Sequence, residues 1–106
     1  MEQRDYVRRL LEAYRTTPDT SGAVRRPDRL LAAQLYQRGV PLEAVENALT
    51  FDAARRLARA TDAPPLGIIR SLAYFSPVLE EVLRLQVGPA YFRHLRKRTG
   101  QFTPAP

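Results

Sequence analysis

The chain contains no cysteine, one histidine and one lysine. Without cysteine it can form no disulfide, no thiolate zinc site and no thiol nucleophile. A single histidine, His94, excludes metal motifs built on two histidines and argues against a histidine-based catalytic triad. The five glycines are scattered, so no glycine-rich phosphate loop is present. We therefore predict a non-enzymatic protein that uses no metal and no cofactor.

Long apolar runs are also missing. The first fifteen residues are too highly charged to act as a signal peptide or a membrane span. The longest nearly uncharged stretch, residues 71–79, is far too short to cross a bilayer. We expect a soluble cytoplasmic protein with no membrane partner.

No segment alternates apolar and polar residues for long enough to predict a β-strand, and β-branched residues are few. With 106 residues the chain can bury a core of its own. We therefore predict an all-α fold, a compact bundle of about five helices. The predicted single domain covers residues 1–98 and is followed by a flexible C-terminal tail over residues 99–106.

Apolar periodicity and the positions of proline and glycine define the predicted helices. Pro27 suits the first turn of a helix, and Gly39 suits a C-terminal cap that needs a positive φ. Pro77 either kinks the fourth helix or begins its second half, with Ser76 as the N-cap. The predicted helices cover residues 3–15, 27–38, 41–60, 69–86 and 90–98. Alternatively, Thr50 breaks the third helix and starts a separate one at 51–60.

Residues 27–60 form a predicted helical hairpin around Gly39. Its spacing is that of helix-turn-helix modules, in which a glycine in the tight turn lets two helices cross. If residues 51–60 form a separate recognition helix, they present Arg55, Arg56 and Arg59 to DNA. The alternative is an ordinary hairpin within a bundle, with these arginines on a solvated face.

The net charge of +6 comes almost entirely from arginine, which accounts for all but one of the 17 basic residues. The guanidinium fork contacts phosphates and guanines in pairs, so an anionic partner is expected. Residues 84–106 carry five basic residues and no acidic one, as a phosphate-binding arm would. We predict nucleic acid as the partner, with DNA favoured over RNA; the alternative is a solvated basic surface.

The predicted nucleic-acid contacts combine the loop before the second helix, the third helix and the basic C-terminal helix. Tyr91 lies within this last run, where an aromatic ring can stack on bases. Alternatively, Phe92 and Leu95 dock the helix on the bundle and leave Tyr91 half exposed. The contact residues are Arg25, Arg26, Arg55, Arg56, Arg59, Tyr91, Arg93, His94, Arg96, Lys97 and Arg98.

Residues 27–86 resemble the C-terminal module of bacterial DnaD-type replication-initiation proteins, and related modules of phage and plasmid replication proteins. The matching positions are Gly39, Val40, Leu42, Val45, Ala48 and Leu49, then Ser71, Tyr74, Phe75, Val78, Leu79 and Val82. The resemblance implies DNA binding, self-association and recruitment of replication proteins, with the basic segment after the module contacting DNA.

Tyr74, Phe75 and Val78 are predicted to face a protein partner or a second copy of the chain; the alternative is plain core packing. Three functions remain open. The first is a nucleic-acid-binding accessory protein in replication or a mobile element. The second is an adaptor, or a subunit of a larger nucleoprotein complex, that docks through the apolar face from Tyr74 to Leu83. The third is a helix-turn-helix regulator.

Overall fold

The computed structural model describes residues 1–85. They form helices α1 (Gln3–Thr16), α2 (Arg26–Gln37), α3 (Leu42–Leu57) and α4 (Ser76–Leu85), with a 3₁₀ turn at Leu72–Phe75. Within these 85 residues there is no strand, only one isolated β-bridge, so the predicted all-α class is confirmed. The fifth helix, predicted at 90–98, and the tail at 99–106 lie outside the described residues.

Helices α1 and α2 form an antiparallel pair. The Tyr6 hydroxyl donates a hydrogen bond of 2.8 Å to the Val40 carbonyl, which follows the end of α2. The Tyr36 hydroxyl, from the last turn of α2, donates to the Met1 carbonyl at 3.0 Å. The two tyrosine rings pack edge to face. The start of α1 therefore lies beside the end of α2, and Leu10 and Tyr14 are fully buried between the helices.

Helix α3 packs mainly on α4 and also touches α1. The shared core consists of Val45, Ala48, Leu49, Leu72, Phe75, Val78, Leu79 and Val82 together with the buried face of α1. The main packing partner of α2 is α1, so the hairpin predicted at 27–60 is not confirmed as a closely packed α2–α3 pair. Gly39 does end α2 with a φ of +77°, as predicted.

Helix α3 is continuous, so the separate helix considered at 51–60 is not found. The Thr50 hydroxyl donates to the Glu46 carbonyl at 3.0 Å, four residues earlier. This bond satisfies the side chain inside the helix, where threonine would otherwise favour a break or a cap. The helix ends at Leu57, three residues before the predicted end.

The helix predicted at 69–86 begins later than expected. Ile69 is extended beside the loop after α1, where its N–H donates to the Asp19 carbonyl at 2.7 Å and its carbonyl accepts from the Ser21 N–H at 2.9 Å. These bonds hold residue 69 out of a helix. Pro77 then lies in the first turn of α4, where its missing N–H costs no helical bond. Ser76 has helical dihedral angles and is the first residue of α4, so it is not the predicted N-cap of that helix.

Candidate nucleic-acid interface

The three arginines predicted on a recognition helix contact other parts of the protein. Arg55 forms a two-pronged ion pair with Glu81 of α4, with one N–O distance of 3.1 Å, and its guanidinium lies 4.2 Å from the centre of the Phe51 ring. Arg59 donates to the Pro64 carbonyl. Arg55 therefore attaches α4 to α3, and Arg59 donates a hydrogen bond within the 58–68 loop.

Arg56 is the most enclosed of the three, because only 10% of its side chain is exposed. It donates to the Asp19 carboxylate at 3.0 Å, to the Gly67 carbonyl at 3.3 Å and to the Tyr74 hydroxyl at 3.3 Å. One arginine thus joins α3 to the loop after α1, to the 58–68 loop and to the 3₁₀ turn. A cleft of about 160 Å³ runs past it, lined by Pro18, Asp19, Ala53, Arg56 and Leu57.

Asp52 lies one turn before Arg56, with its Oδ2 3.5 Å from the Arg56 Nε. Burial raises the pKa of this carboxyl above its ordinary value of 3.8, and Asp19 acts in the same direction. The positive charges of Arg56 and Arg55 oppose the rise without cancelling it. Asp52 and Arg56 therefore form a charge pair inside the fold.

Seven exposed arginines differ from these, because within residues 1–85 their side chains form no ion pair and donate no hydrogen bond. The seven are Arg4, Arg9, Arg25, Arg26, Arg29, Arg70 and Arg84. Arg8, Arg15 and Arg38 are exposed as well but pair with acids. Because an unpaired arginine keeps all its donors available, these seven are the described residues best suited to bind an external anion.

Three of the unpaired arginines, Arg25, Arg26 and Arg29, are grouped at the start of α2. Arg26 and Arg29 are three residues apart in the first turns of α2, so their side chains lie on one side of the helix, and Arg25 is the extended residue just before it. Like charges one helical turn apart destabilise a helix by about 0.2–0.5 kcal/mol per pair. No acidic side chain among residues 1–85 forms an ion pair with these guanidinium groups, whereas a bound polyanion would.

Asp28 lies in the middle of this group but faces inward and is only 2% exposed. One carboxylate oxygen accepts from the Arg25 N–H at 2.8 Å, and the other accepts from the Leu72 N–H at 2.9 Å. The first bond caps α2, and the second attaches the segment before the 3₁₀ turn to the same place. Arg70, exposed and two residues before Leu72, is thereby brought close to the start of α2.

Tyr14 packs beneath the start of α2. Burial raises the pKa of its hydroxyl, the nearby negative charge of Asp28 raises it further, and Arg25 opposes both. Tyr14 itself is fully buried in the core shared by α1 and α2.

The three residues predicted at a partner interface separate into two environments. Phe75 and Val78 are buried in the core, with 3% and 9% exposure. Phe75 packs edge to face against both Tyr14 and Tyr74. Tyr74 is 43% exposed, and it alone of the three offers surface to a partner.

Sequence reasoning identified Arg25 and Arg26 but missed Arg29, Arg70 and Asp28. The run RRPDR contained a signal for Arg29, because three arginines fall within one helical turn and a half. Arg70 had no such signal, since the bond that places it joins residues 44 apart in sequence. The predicted contacts Tyr91, Arg93, His94, Arg96, Lys97 and Arg98 lie outside the described residues.

Within residues 1–85, no three histidine, cysteine, aspartate or glutamate side chains are grouped so that they could hold a metal ion. In the same part of the chain, no helix combines the length and the apolar character needed to span a membrane. No family model, no curated protein and no solved structure matches the chain.

Proposed function

We propose that the protein is a non-enzymatic nucleic-acid-binding protein that contacts the phosphate backbone through the unpaired arginines Arg25, Arg26, Arg29 and Arg70. The observation that carries this proposal is the difference between two sets of arginines. Arg55 and Arg56 of α3 and Arg59 just after it bind acids and carbonyls of the protein itself, whereas Arg25, Arg26, Arg29 and Arg70 are exposed without an ion-pair partner in residues 1–85. Phosphates match the guanidinium fork in shape and charge.

The proposed binding is mainly independent of sequence. The helix-turn-helix alternative uses a separate recognition helix at 51–60, whereas in the described residues positions 51–57 continue α3. Contacts to phosphate fix position without reading sequence. Through the resemblance to DnaD-type modules, we place the protein as an accessory factor in replication or a mobile element, with DNA as the favoured partner.

A salt titration tests this function. The logarithm of the association constant for a random-sequence duplex should fall linearly with the logarithm of salt concentration, with a slope of about −0.9 for each phosphate contacted. Two unrelated duplexes of equal length should give the same slope and similar affinity. Absence of binding, or binding that does not respond to salt, would refute the proposal.

A second candidate function, a protein-interaction adaptor, is favoured by one surface. Arg56 connects the neighbourhoods of Leu57, Gly67 and Tyr74, and large apolar side chains are exposed there. These are Leu57, Leu66, Ile68 and Tyr74. Exposed apolar groups of this kind, when contiguous, mark protein-binding surfaces. A Tyr74→Ala variant that stays folded but loses association with itself or a partner would support the adaptor.

A further inference from the structure

We propose that Arg25, Arg26, Arg29 and Arg70 form one composite site for the phosphodiester backbone of nucleic acid, and that Asp28 is its positioning residue. This inference rests on the proposed function and deepens it. The site would combine two segments that are far apart in sequence, the start of α2 and the strand-like stretch before the 3₁₀ turn. Its four members are all arginines, which match phosphate groups in shape and charge. No exposed aromatic residue, which could stack on bases, belongs to the group, so we expect the site to bind backbone phosphates.

The stretch before the 3₁₀ turn is attached at two points. A parallel bridge between Thr20 and Ile69, with hydrogen bonds of 2.7 and 2.9 Å, attaches one end of it to the loop that precedes α2. At the other end, Asp28 accepts the Leu72 N–H at 2.9 Å. Arg70 lies between these two attachments. Its backbone position beside α2 is therefore fixed by the fold, although its side chain is exposed.

The buried Asp28 side chain links the two segments of the proposed site. Its carboxylate accepts the Arg25 N–H on one oxygen and the Leu72 N–H on the other, so one buried side chain sets the spacing of both segments. A carboxylate within an anion-binding group would ordinarily weaken binding by repulsion. Here both of its oxygens accept backbone N–H groups, and at 2% exposure the carboxylate is not in contact with an approaching polyanion.

The molecule provides a control pair, Arg4 and Arg9. Both are exposed arginines of α1 without an ion-pair partner in residues 1–85, so replacing them changes the charge by the same amount. The antiparallel packing places Arg4, in the first turn of α1, beside the end of α2, a helix about 18 Å long, whereas Arg9 lies about halfway along α1. Arg4 is therefore farther from the start of α2 than the screening length of about 8 Å at physiological salt, and Arg9 lies at about that distance along the helix axis.

The first test measures binding of a fluorescently labelled random-sequence duplex to the full chain across a range of salt. Arg29→Ala/Arg70→Ala should reduce the magnitude of the salt slope by about two units, since each lost phosphate contact removes about one. Arg4→Ala/Arg9→Ala should leave the slope close to that of the parent. Equal losses in the two variants would show a diffuse basic surface and overturn the composite site.

The second test concerns Asp28. The Asp28→Asn variant removes a negative charge, which by electrostatics alone should tighten binding. It also removes an acceptor of the Arg25 or Leu72 N–H, so a positioning role predicts weaker binding and a smaller slope. In the Arg29→Ala/Arg70→Ala background the same change should have little further effect, whereas general loss of structure would lower binding in both backgrounds.

The outcomes separate the two proposals. A parent protein that does not bind the duplex refutes the proposed function, and the composite site with it. A parent that binds, together with an Arg29→Ala/Arg70→Ala variant that matches the Arg4→Ala/Arg9→Ala control, refutes only the composite site. Tighter binding by folded Asp28→Asn overturns the positioning role, and the arginine pair still tests the site if that variant does not fold.

Discussion

Replacing Arg56 with methionine should destabilise the fold without removing a nucleic-acid contact. Methionine keeps most of the apolar stem and removes the guanidinium. Three hydrogen bonds are lost, to Asp19, to the Gly67 carbonyl and to the Tyr74 hydroxyl. The Asp52 carboxylate, whose side chain is only 10% exposed, also loses its closest positive charge.

The expected loss of folding stability in Arg56→Met follows from the burial of Asp52 and Arg56. Removing one partner of a buried ion pair costs about 3–5 kcal/mol, because an uncompensated charge stays behind. The lower end applies here, since Asp52 and Arg56 each keep some exposure and burial already raises the pKa of Asp52 toward protonation. With about 4–8 °C per kcal/mol for a small domain, a loss of about 3 kcal/mol lowers the melting temperature by roughly 12 °C or more.

Two variants control the experiment. Asp52→Asn/Arg56→Met removes both charges and should recover much of the loss, because the buried carboxylate is gone. Arg8→Met breaks an exposed pair with Asp5 and should change stability by less than about 1 kcal/mol. Thermal and urea unfolding give the stabilities, and duplex titration of folded protein gives the salt slope. An Arg56→Met variant that melts like the parent, or whose salt slope of duplex binding falls by about one unit, would contradict a purely structural role for Arg56.

Three further predictions follow from burial and charge. Phe75→Ala should cost about 3–5 kcal/mol as a core truncation, whereas Tyr74→Ala, at an exposed ring, should cost much less; equal melting temperatures for the two variants would contradict the core assignment. Asp52→Asn should flatten the acid pH dependence of stability. Burial raises the pKa of Asp52 in the folded protein, so protonation of this carboxyl stabilises the fold at low pH, and that stability is lost as the pH rises from 3.8 through the raised value. Urea unfolding of the parent and of Asp52→Asn at several acidic pH values checks this. Identical pH profiles of stability for the two proteins would contradict it. Deleting residues 93–106 removes four basic residues and should weaken duplex binding strongly at matched salt while the fold persists; unchanged binding would refute a C-terminal arm.

The helices could be predicted because their signals are local. Pro27 lies in the first turn of α2, and Gly39 ends the helix with a positive φ. Both positions can be recognised from a few neighbouring residues in the sequence. The buried stripe of α1, including Leu10 and Tyr14, follows from helical periodicity. Thr50 was ambiguous, because threonine can either break a helix or bond to the preceding turn, and tertiary packing decided for the second.

Which arginines remain free could not be predicted, because pairing depends on contacts distant in sequence. Arg56 contacts groups 37, 11 and 18 residues away, at Asp19, Gly67 and Tyr74. Nothing in the sequence of α3 distinguishes Arg56 from any other arginine near an acidic residue. The same applies to Arg70, whose position depends on a bond across 44 residues. Composition therefore indicated an anionic partner, and only tertiary structure separated the unpaired arginines from those that hold the fold together.

The central proposal is that Arg25, Arg26, Arg29 and Arg70 contact the phosphate backbone of nucleic acid, and that Arg55, Arg56 and Arg59 do not. Arginine side-chain NMR tests it directly, by following the Nε–Hε resonances while a random-sequence duplex is added. The account predicts that the resonances of Arg25, Arg26, Arg29 and Arg70 shift and that those of Arg55 and Arg56 stay in place. Shifts confined to Arg55, Arg56 and Arg59, or no shift in any arginine, would contradict it.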